Sequence, residues 1–283
     1  MRLGIDIGGT SAKVAVWSQG RWLRTGQSAS YDQPTLSQIR AAIQTAAGPI
    51  ANLQSVGLCL PGTFDAATRT LTHSVNIPAL VGLPVDQLLT DVLPLPASIA
   101  PLVCSDALAA ARDIYAARQL TGRLVALSLG TGVGCGVLDG TGALDVDEGS
   151  PGHFGQLDVS IAGHDVLGPD GGAGSLEGYL GAPALARAYG GSLPEITAHL
   201  TPDAPPLQAL ARALRIAHAI YRPHHLCLCG GIGLGLRHLL PAIHRAVATN
   251  LTRIARPQWT LTCGDDLFHA ARGAARLAGA GSG

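Results

Sequence analysis

Lysine is almost missing from this chain. Among 283 residues, Lys13 is the only lysine, and every other basic side chain is arginine. Charge of either sign is sparse: charged residues make up 13%, and 19 basic side chains balance 19 acidic ones. No basic stripe or arginine run occurs, which excludes nucleic acid as a principal partner. No apolar run reaches the roughly 18 to 20 residues of a membrane-crossing helix, so no membrane partner is expected. The N-terminus enters a strand pattern at once, with neither a charged leader nor an apolar leader core, and the expected location is the cytoplasm. Paired metal-ligand cysteines are missing too. Cys59, Cys104, Cys135, Cys227 and Cys229 lie in apolar runs and Cys263 follows one, where a thiol packs as a small hydrophobe. Cys227 and Cys229 form a C-x-C without a second pair, which is not a zinc-type ligand set. A disulfide framework is not expected in a chain this long and apolar.

Glycine and apolar residues are abundant. Hydrophobic content is 47% with 37 glycines, enough for substantial cores in two domains. Two glycine-rich turns lie far apart: Asp6-Ile7-Gly8-Gly9-Thr10 and Leu129-Gly130-Thr131-Gly132-Val133-Gly134. Each sits between strand-like runs, 2–5 and 14–17 for the first, 124–129 and 135–138 for the second. Such a hairpin tip exposes backbone N–H groups, and glycine lets them converge on phosphate oxygens. Lys13, beside the first turn, suits phosphate as a point charge. Two such tips facing one another would hold a polyphosphate tail between two domains. Plainer readings stand beside these. Lys13 is then a remaining surface lysine, Asp6 fixes its own turn, the second turn is a bare hairpin, and Asp106 caps a helix.

Strand patterns alternate with helical ones, which places the chain in the α/β class. Helices are predicted at 34–47, 85–89, 107–118, 183–189, 194–200, 207–221 and 266–278, with a further one after Gly233. Strands are predicted at 55–60, 102–104, 226–229 and 259–262, with a hairpin at 63–75. Residues 149–181 lack periodicity and read as ordered loops.

In this order, the landmarks resemble the ROK family of sugar kinases and repressors. Asp6 to Thr10 is similar to the first phosphate motif, and Pro61-Gly62 with Asn76-Ile77-Pro78 to the sugar-cleft segment. Ser105-Asp106 is similar to the catalytic Asn-Asp, and Gly130 to Gly134 to the second phosphate motif. Gly152-His153, Leu176-Glu177-Gly178-Tyr179, Gly230-Gly231-Ile232 and Gly273-Ala274-Ala275 match further family segments. The resemblance covers nearly the whole chain. It implies an α/β two-domain actin-like ATPase (ribonuclease H-like) fold with an interdomain cleft. The expected lobes are 1–104 with 264–283, and 105–263, with hinges near 104–106 and 263–266. Because the chain begins on the strand rather than a helix-turn-helix, the kinase branch is expected.

The implied activity is ATP-dependent phosphorylation of a hexose or hexose derivative at its primary hydroxyl, with ATP and Mg²⁺ as cofactors. Gly8, Gly9, Thr10, Lys13, Gly130, Thr131 and Gly132 would hold the phosphates. Asp6 would hold Mg²⁺ through water, and Asp106 would be the general base. Gly230, Gly231 and Ile232 would lie beneath adenosine. Asn76, Ser105, Asp106, His153 and Glu177 would meet the sugar. Family members are often dimers, so a homodimer is one expectation. The sequence also departs from the family. Ser105 replaces an asparagine, Ser150 a glutamate and Leu80 a tryptophan, with Glu148 close to the vacated carboxylate position. Where much of the family has zinc-binding cysteines this chain has Gly168, Asp170 and Ser175, so no structural zinc is expected. These departures motivate an alternative, a catalytically weak sugar-binding sensor or regulator. A polyphosphate-dependent glucokinase is another.

Overall fold

Elements of the first part of the chain are β1 (Arg2–Ile7), β2 (Ala12–Ser18), β3 (Arg21–Gln27), α1 (Leu36–Ala47), β4 (Ser55–Cys59), β5 (Thr63–Asp65), β6 (Thr70–His73), α2 (Val85–Thr90), β7 (Leu102–Cys104) and α3 (Asp106–Ala117). The second part holds β8 (Leu124–Leu129), β9 (Val133–Asp139), β10 (Gly142–Ala143), α4 (Leu176–Leu180), α5 (Ala182–Tyr189), α6 (Leu193–His199), α7 (Pro205–Tyr221), β11 (His225–Cys229), α8 (Gly230–Gly235), α9 (Leu240–Thr249) and β12 (Thr260–Cys263). Helix α10 (His269–Ala280) ends the chain. This computed structural model describes residues 1–90, 92–93, 95–96, 98–146 and 150–280. Glu148 lies outside the described residues.

Two compact units result, Met1–Ala116 with Phe268–Gly283, and Ala117–Leu267. The sequence placed the joins at 104/105 and 263/264. The units divide instead at 116/117 and 267/268, so α3 lies with the first unit. Each unit has a five-stranded sheet of the same design. The orders are β3-β2-β1-β4-β7 and β10-β9-β8-β11-β12. In both, the first three strands are antiparallel neighbours, and the last two run parallel to the first. The glycine turns join the first and second strand of their respective sheets.

Alternation decides the faces of the first sheet. Leu3, Ile5 and Ile7 join Val14, Val16, Leu58 and the α1 residues Ile39 and Ile43 in one apolar cluster. Helix α1 starts where Thr35 and Gln38 form a reciprocal capping box, which satisfies amide donors that a helix start leaves open. The opposite face is built for closeness. Gly4 and Gly57 are register partners on β1 and β4. A Cβ on Gly4 would stand 1.8 Å from the Ala271 carbonyl oxygen, and one on Gly57 2.1 Å from that of Ala274. Both carbonyls belong to α10. Gly273 of α10 meets α3 in the same way, with a Cβ position 1.7 Å from the Ala109 oxygen. The charged partner that locks these helices is Asp113 of α3, only 1% exposed. It accepts from Arg276 Nε at 2.7 Å and pairs with His269 Nδ1 at 2.8 Å.

In the second unit Val125, Leu127 and Leu129 of β8 pack with Leu210 and Leu214 of α7. His218 of α7 is buried edge-on against Trp259, with ring centroids 4.6 Å apart, and neither ring nitrogen has a hydrogen-bond partner among the described residues. Burial, helped by His244, pulls its pKa from 6.5 down to about 4. The unfolded chain therefore binds the proton more tightly, so stability is full above 6.5 and falls as pH drops towards 4. The loss should be at most ~1.4 kcal/mol per pH unit in that window. Urea titrations from pH 7 to pH 4 should show this slope in the parent and a shallower one in His218→Phe. Equal slopes would remove His218 as the cause.

Several elements escaped the sequence reading, β3, β10 and α4 among them. Strand β3 is a mostly exposed edge, so it carries no apolar run. Helix α4 is only five residues long, too short to show helical periodicity among the loops of 149–181. Among the described residues no helix is long and apolar enough to cross a membrane.

Candidate active site

Gln27, Lys13, Asp6, Cys59 and Cys104 are successive register partners across the first sheet. They form one row at the carboxyl ends of the parallel strands, the edge where open α/β sheets bind ligands. Asp6 is 8% exposed, and its Oδ2 lies 3.6 Å from Lys13 Nζ. Burial raises the Asp6 carboxyl above the usual range, against the charge and hydrogen bond of Lys13. The turn beyond is held by three bonds: Gly8 N–H to Ser11 O at 3.0 Å, Tyr31 N–H to Thr10 O at 2.9 Å, and Tyr31 O–H to Gly8 O at 2.8 Å. Burial and the Asp6 charge push the Tyr31 phenol up, which keeps it a donor. The N–H groups of Gly9 and Thr10 have no acceptor among the described residues. They are the groups a phosphate oxygen would satisfy.

Strand β7 runs straight into α3. Ser105 Oγ accepts the Leu108 N–H at 3.2 Å and Ser105 O accepts from Ala109. Ser105 is thus the cap, and Asp106 opens the first turn with Oδ1 2.7 Å from the Ala107 N–H. The plainer reading of Asp106 as cap does not hold. The thiol of Cys59 reports on the surroundings. Its pKa is raised by a hydrogen bond with Cys104, by burial, and by the charges of Cys104, Asp6 and Asp106. Both aspartates therefore act on the same end of one sheet. In the neighbouring loop, Asn76 is half-buried and makes no side-chain hydrogen bond among the described residues. Gly62 has φ +118°, and a Cβ there would lie 2.0 Å from His73 O, so only glycine fits. Leu80 is buried in the core of this unit.

In the second unit, Leu129 and Val133 close a three-residue turn, Gly130, Thr131 and Gly132. Gly130 N–H bonds Gly132 O at 3.0 Å and Ala182 N–H bonds Gly130 O at 2.9 Å. The N–H groups of Thr131 and Gly132 have no acceptor among the described residues. Glu177, expected to meet a sugar, accepts the Val133 N–H on Oε2 at 2.8 Å. Burial raises its carboxyl, the Val133 bond opposes this, and the Asp170 charge adds to it. This support of the turn had no sequence signal, since the two residues are 44 apart. Glu177→Ala should strand the Val133 N–H and cost about 1–3 kcal/mol in urea unfolding, while Glu177→Gln, which keeps an acceptor, should cost much less. Equal losses would refute the role.

His153 is exposed, just before a short helical turn, Phe154–Gln156. Ser150 turns inward on its own loop and accepts the Gly152 N–H at 3.1 Å. The three positions where zinc ligands were considered do not suit a metal. Ser175 is fully buried and caps α4 by accepting the Gly178 N–H at 3.1 Å. Gly168 has no donor side chain, and Asp170 Oδ2 accepts from Gln156 at 3.4 Å. At the third glycine segment, Gly230 has φ +77° and its Cβ position is 2.4 Å from Leu129 O. Gly231 faces open space. Ile232 is fully buried, so its side chain belongs to the core and only its backbone is available beneath a base.

Comparison with known proteins gives the chain its relatives. The model of the ROK family matches residues 2–280. The N-acetyl-D-glucosamine kinase of Yersinia pseudotuberculosis serotype O:1b (strain IP 31758) is 25% identical over 282 residues, covering 90% of this chain and 91% of that protein. A ROK family glucokinase from Streptomyces griseus, solved with glucose and AMPPNP, superposes with TM-score 0.75 at 22% identity, covering 99% of each chain. The ROK hexokinase of Thermus thermophilus gives TM-score 0.72 at 22% identity over 99% of this chain and 98% of that one. The fold is accordingly the α/β actin-like ATPase fold of these kinases. With matched sheets, a phosphate-type turn on each and a family model spanning nearly its whole length, the chain belongs to the ROK family.

Proposed function

We propose that the chain is an ATP-dependent kinase that phosphorylates a hexose or hexose derivative at its primary 6-hydroxyl. The observation that carries this is the pair of turns whose N–H groups lack acceptors, Gly9 and Thr10 in one unit and Thr131 and Gly132 in the other. Phosphoryl transfer needs mainly positioning and charge neutralisation. Gly8, Gly9, Thr10, Lys13, Gly130, Thr131 and Gly132 bind and orient the phosphates. Asp106 takes the proton from the sugar hydroxyl. Gly230 and Gly231, with the backbone of Ile232, support the adenosine. Asn76, Ser105, His153 and Glu177 recognise sugar hydroxyls. Asp6 fits Mg²⁺ held through water, since that ion commonly leans on one or two carboxylates and the substrate phosphates. When bound it would neutralise charge on the transferring phosphate.

Ser150 offers a short hydroxyl engaged with Gly152 in place of a carboxylate. Losing a charged hydrogen bond is worth about ten- to a hundredfold in binding, so glucose should bind weakly. A bulkier hexose, such as the N-acetylated sugar named for the Yersinia relative, should be preferred. An ADP-release assay over glucose, mannose and N-acetylated hexosamines tests this, with ATP and polyphosphate compared as donors. Sugar binding without turnover above background would overturn the kinase reading in favour of a sensor. Purified protein should contain no stoichiometric zinc by elemental analysis.

A further inference from the structure

A second cluster of charge lies at the other end of the sheet face that carries Asp6. Trp22, Trp17 and Arg2 are successive register partners, four residues along β1 from Asp6 and thus about 13 Å away. Together with Arg112 of α3 and Arg276 of α10 they line a recess of about 210 Å³. No carboxylate among the described residues lines it. Arg276 is fixed in place: its Nε bonds Asp113, and its guanidinium lies 5.7 Å from the Trp17 ring centroid and 5.3 Å from that of Trp22. Arg276 is thus paired with Asp113, which also meets His269 and Arg272, so the uncompensated charge of the recess is that of Arg2 and Arg112. Arg2 and Arg112 are half-buried and have no hydrogen bond or ion pair among the described residues. In a chain whose formal charges cancel, two half-buried arginines without a carboxylate partner leave a local excess of positive charge that suits an anion.

We propose that this recess is a binding site for a small phosphate monoester. Two unpaired guanidiniums, with the Asp113-bound Arg276 beside them, suit a dianion better than a monoanion, and their forks match phosphate oxygens. The indoles give the carbon body an apolar wall. The volume lies below the roughly 300–1,000 Å³ of pockets for drug-sized ligands, which limits the occupant to a phosphate on a short polyol or single ring.

The test uses tryptophan fluorescence in a Trp259→Phe background, where Trp17 and Trp22 are the only indoles left. Glycerol 3-phosphate should give a saturable change, and inorganic phosphate a weaker one that lacks the wall contact. Arg2→Gln and Arg112→Gln should each weaken binding about ten- to a hundredfold with ADP release unchanged in the absence of the ester. Two variants guard against one misfolding, as checked by circular dichroism. Equal affinity for the two anions would assign the site to free phosphate and overturn the ester. No saturable response in the millimolar range, or a response indifferent to both arginines, would overturn the site altogether.

Discussion

Asp106→Asn should lower turnover of the best sugar by about 10²- to 10⁴-fold, the usual worth of general-base assistance. That corresponds to ~2.7–5.5 kcal/mol in the barrier. The substitution is close to isosteric. The helix start should survive it, because the capping bond to Leu108 comes from Ser105 and not from Asp106. The effect should therefore fall on kcat, with sugar KM and melting temperature nearly unchanged. The informative control is Ser105→Ala. It removes the cap and should cost about 1 kcal/mol of stability, with a much smaller loss of rate. If Asp106→Asn retained nearly full turnover, the base would have to be sought elsewhere. If both variants lost rate in proportion to stability, the segment would be structural only.

Gly4→Ala should destabilise the first unit by about 1–3 kcal/mol or more, the range for forcing extra atoms into a packed core. The new methyl would stand 1.8 Å from the Ala271 oxygen and 2.7 Å from the Ala275 nitrogen. Both are helix backbone, which cannot rotate aside as a side chain can, so α10 as a whole must lift from the sheet. Gly57→Ala should behave alike, since its clash is with the backbone of Ala274. The two sites are adjacent register partners beneath the same helix, so the double variant should cost less than the sum once α10 has lifted. Gly20→Ala makes a useful contrast. It meets nothing within 4 Å, but its φ of +79° penalises alanine by backbone strain alone. Urea unfolding of the four variants beside the parent would check this. A Gly4→Ala protein as stable as the parent would mean that α10 is not held as closely as described.

Much of the candidate site was legible locally. The two glycine turns, the strands beside them, and the β7-to-α3 junction at Ser105-Asp106 announce themselves through apolar runs broken by glycine, threonine and aspartate. Lys13 stood out because no other lysine competes with it. What was missed has physical causes. Strand β3 hides because one exposed edge needs no apolar alternation. The sequence leaves α3 with the second lobe because it and α10 carry few large side chains, and nothing local shows that the two pack together. Their alanines and glycines mark close packing, which shows only when the partner backbone is at hand. Residue 106 looked like a cap because serine and aspartate are both good caps, and only the Leu108 bond chose between them.

By itself, then, the sequence picked out the candidate residues, since glycine turns and a carboxylate at a helix start depend on neighbours along the chain. Only the tertiary structure decided which of them share a row. Asp6, Lys13, Cys59 and Cys104 meet through strand register. Glu177 reaches Val133 across 44 residues. The arginines beside Trp17 and Trp22 gather from a strand and two helices. Such contacts are set by the summed packing of whole faces, which no local pattern encodes.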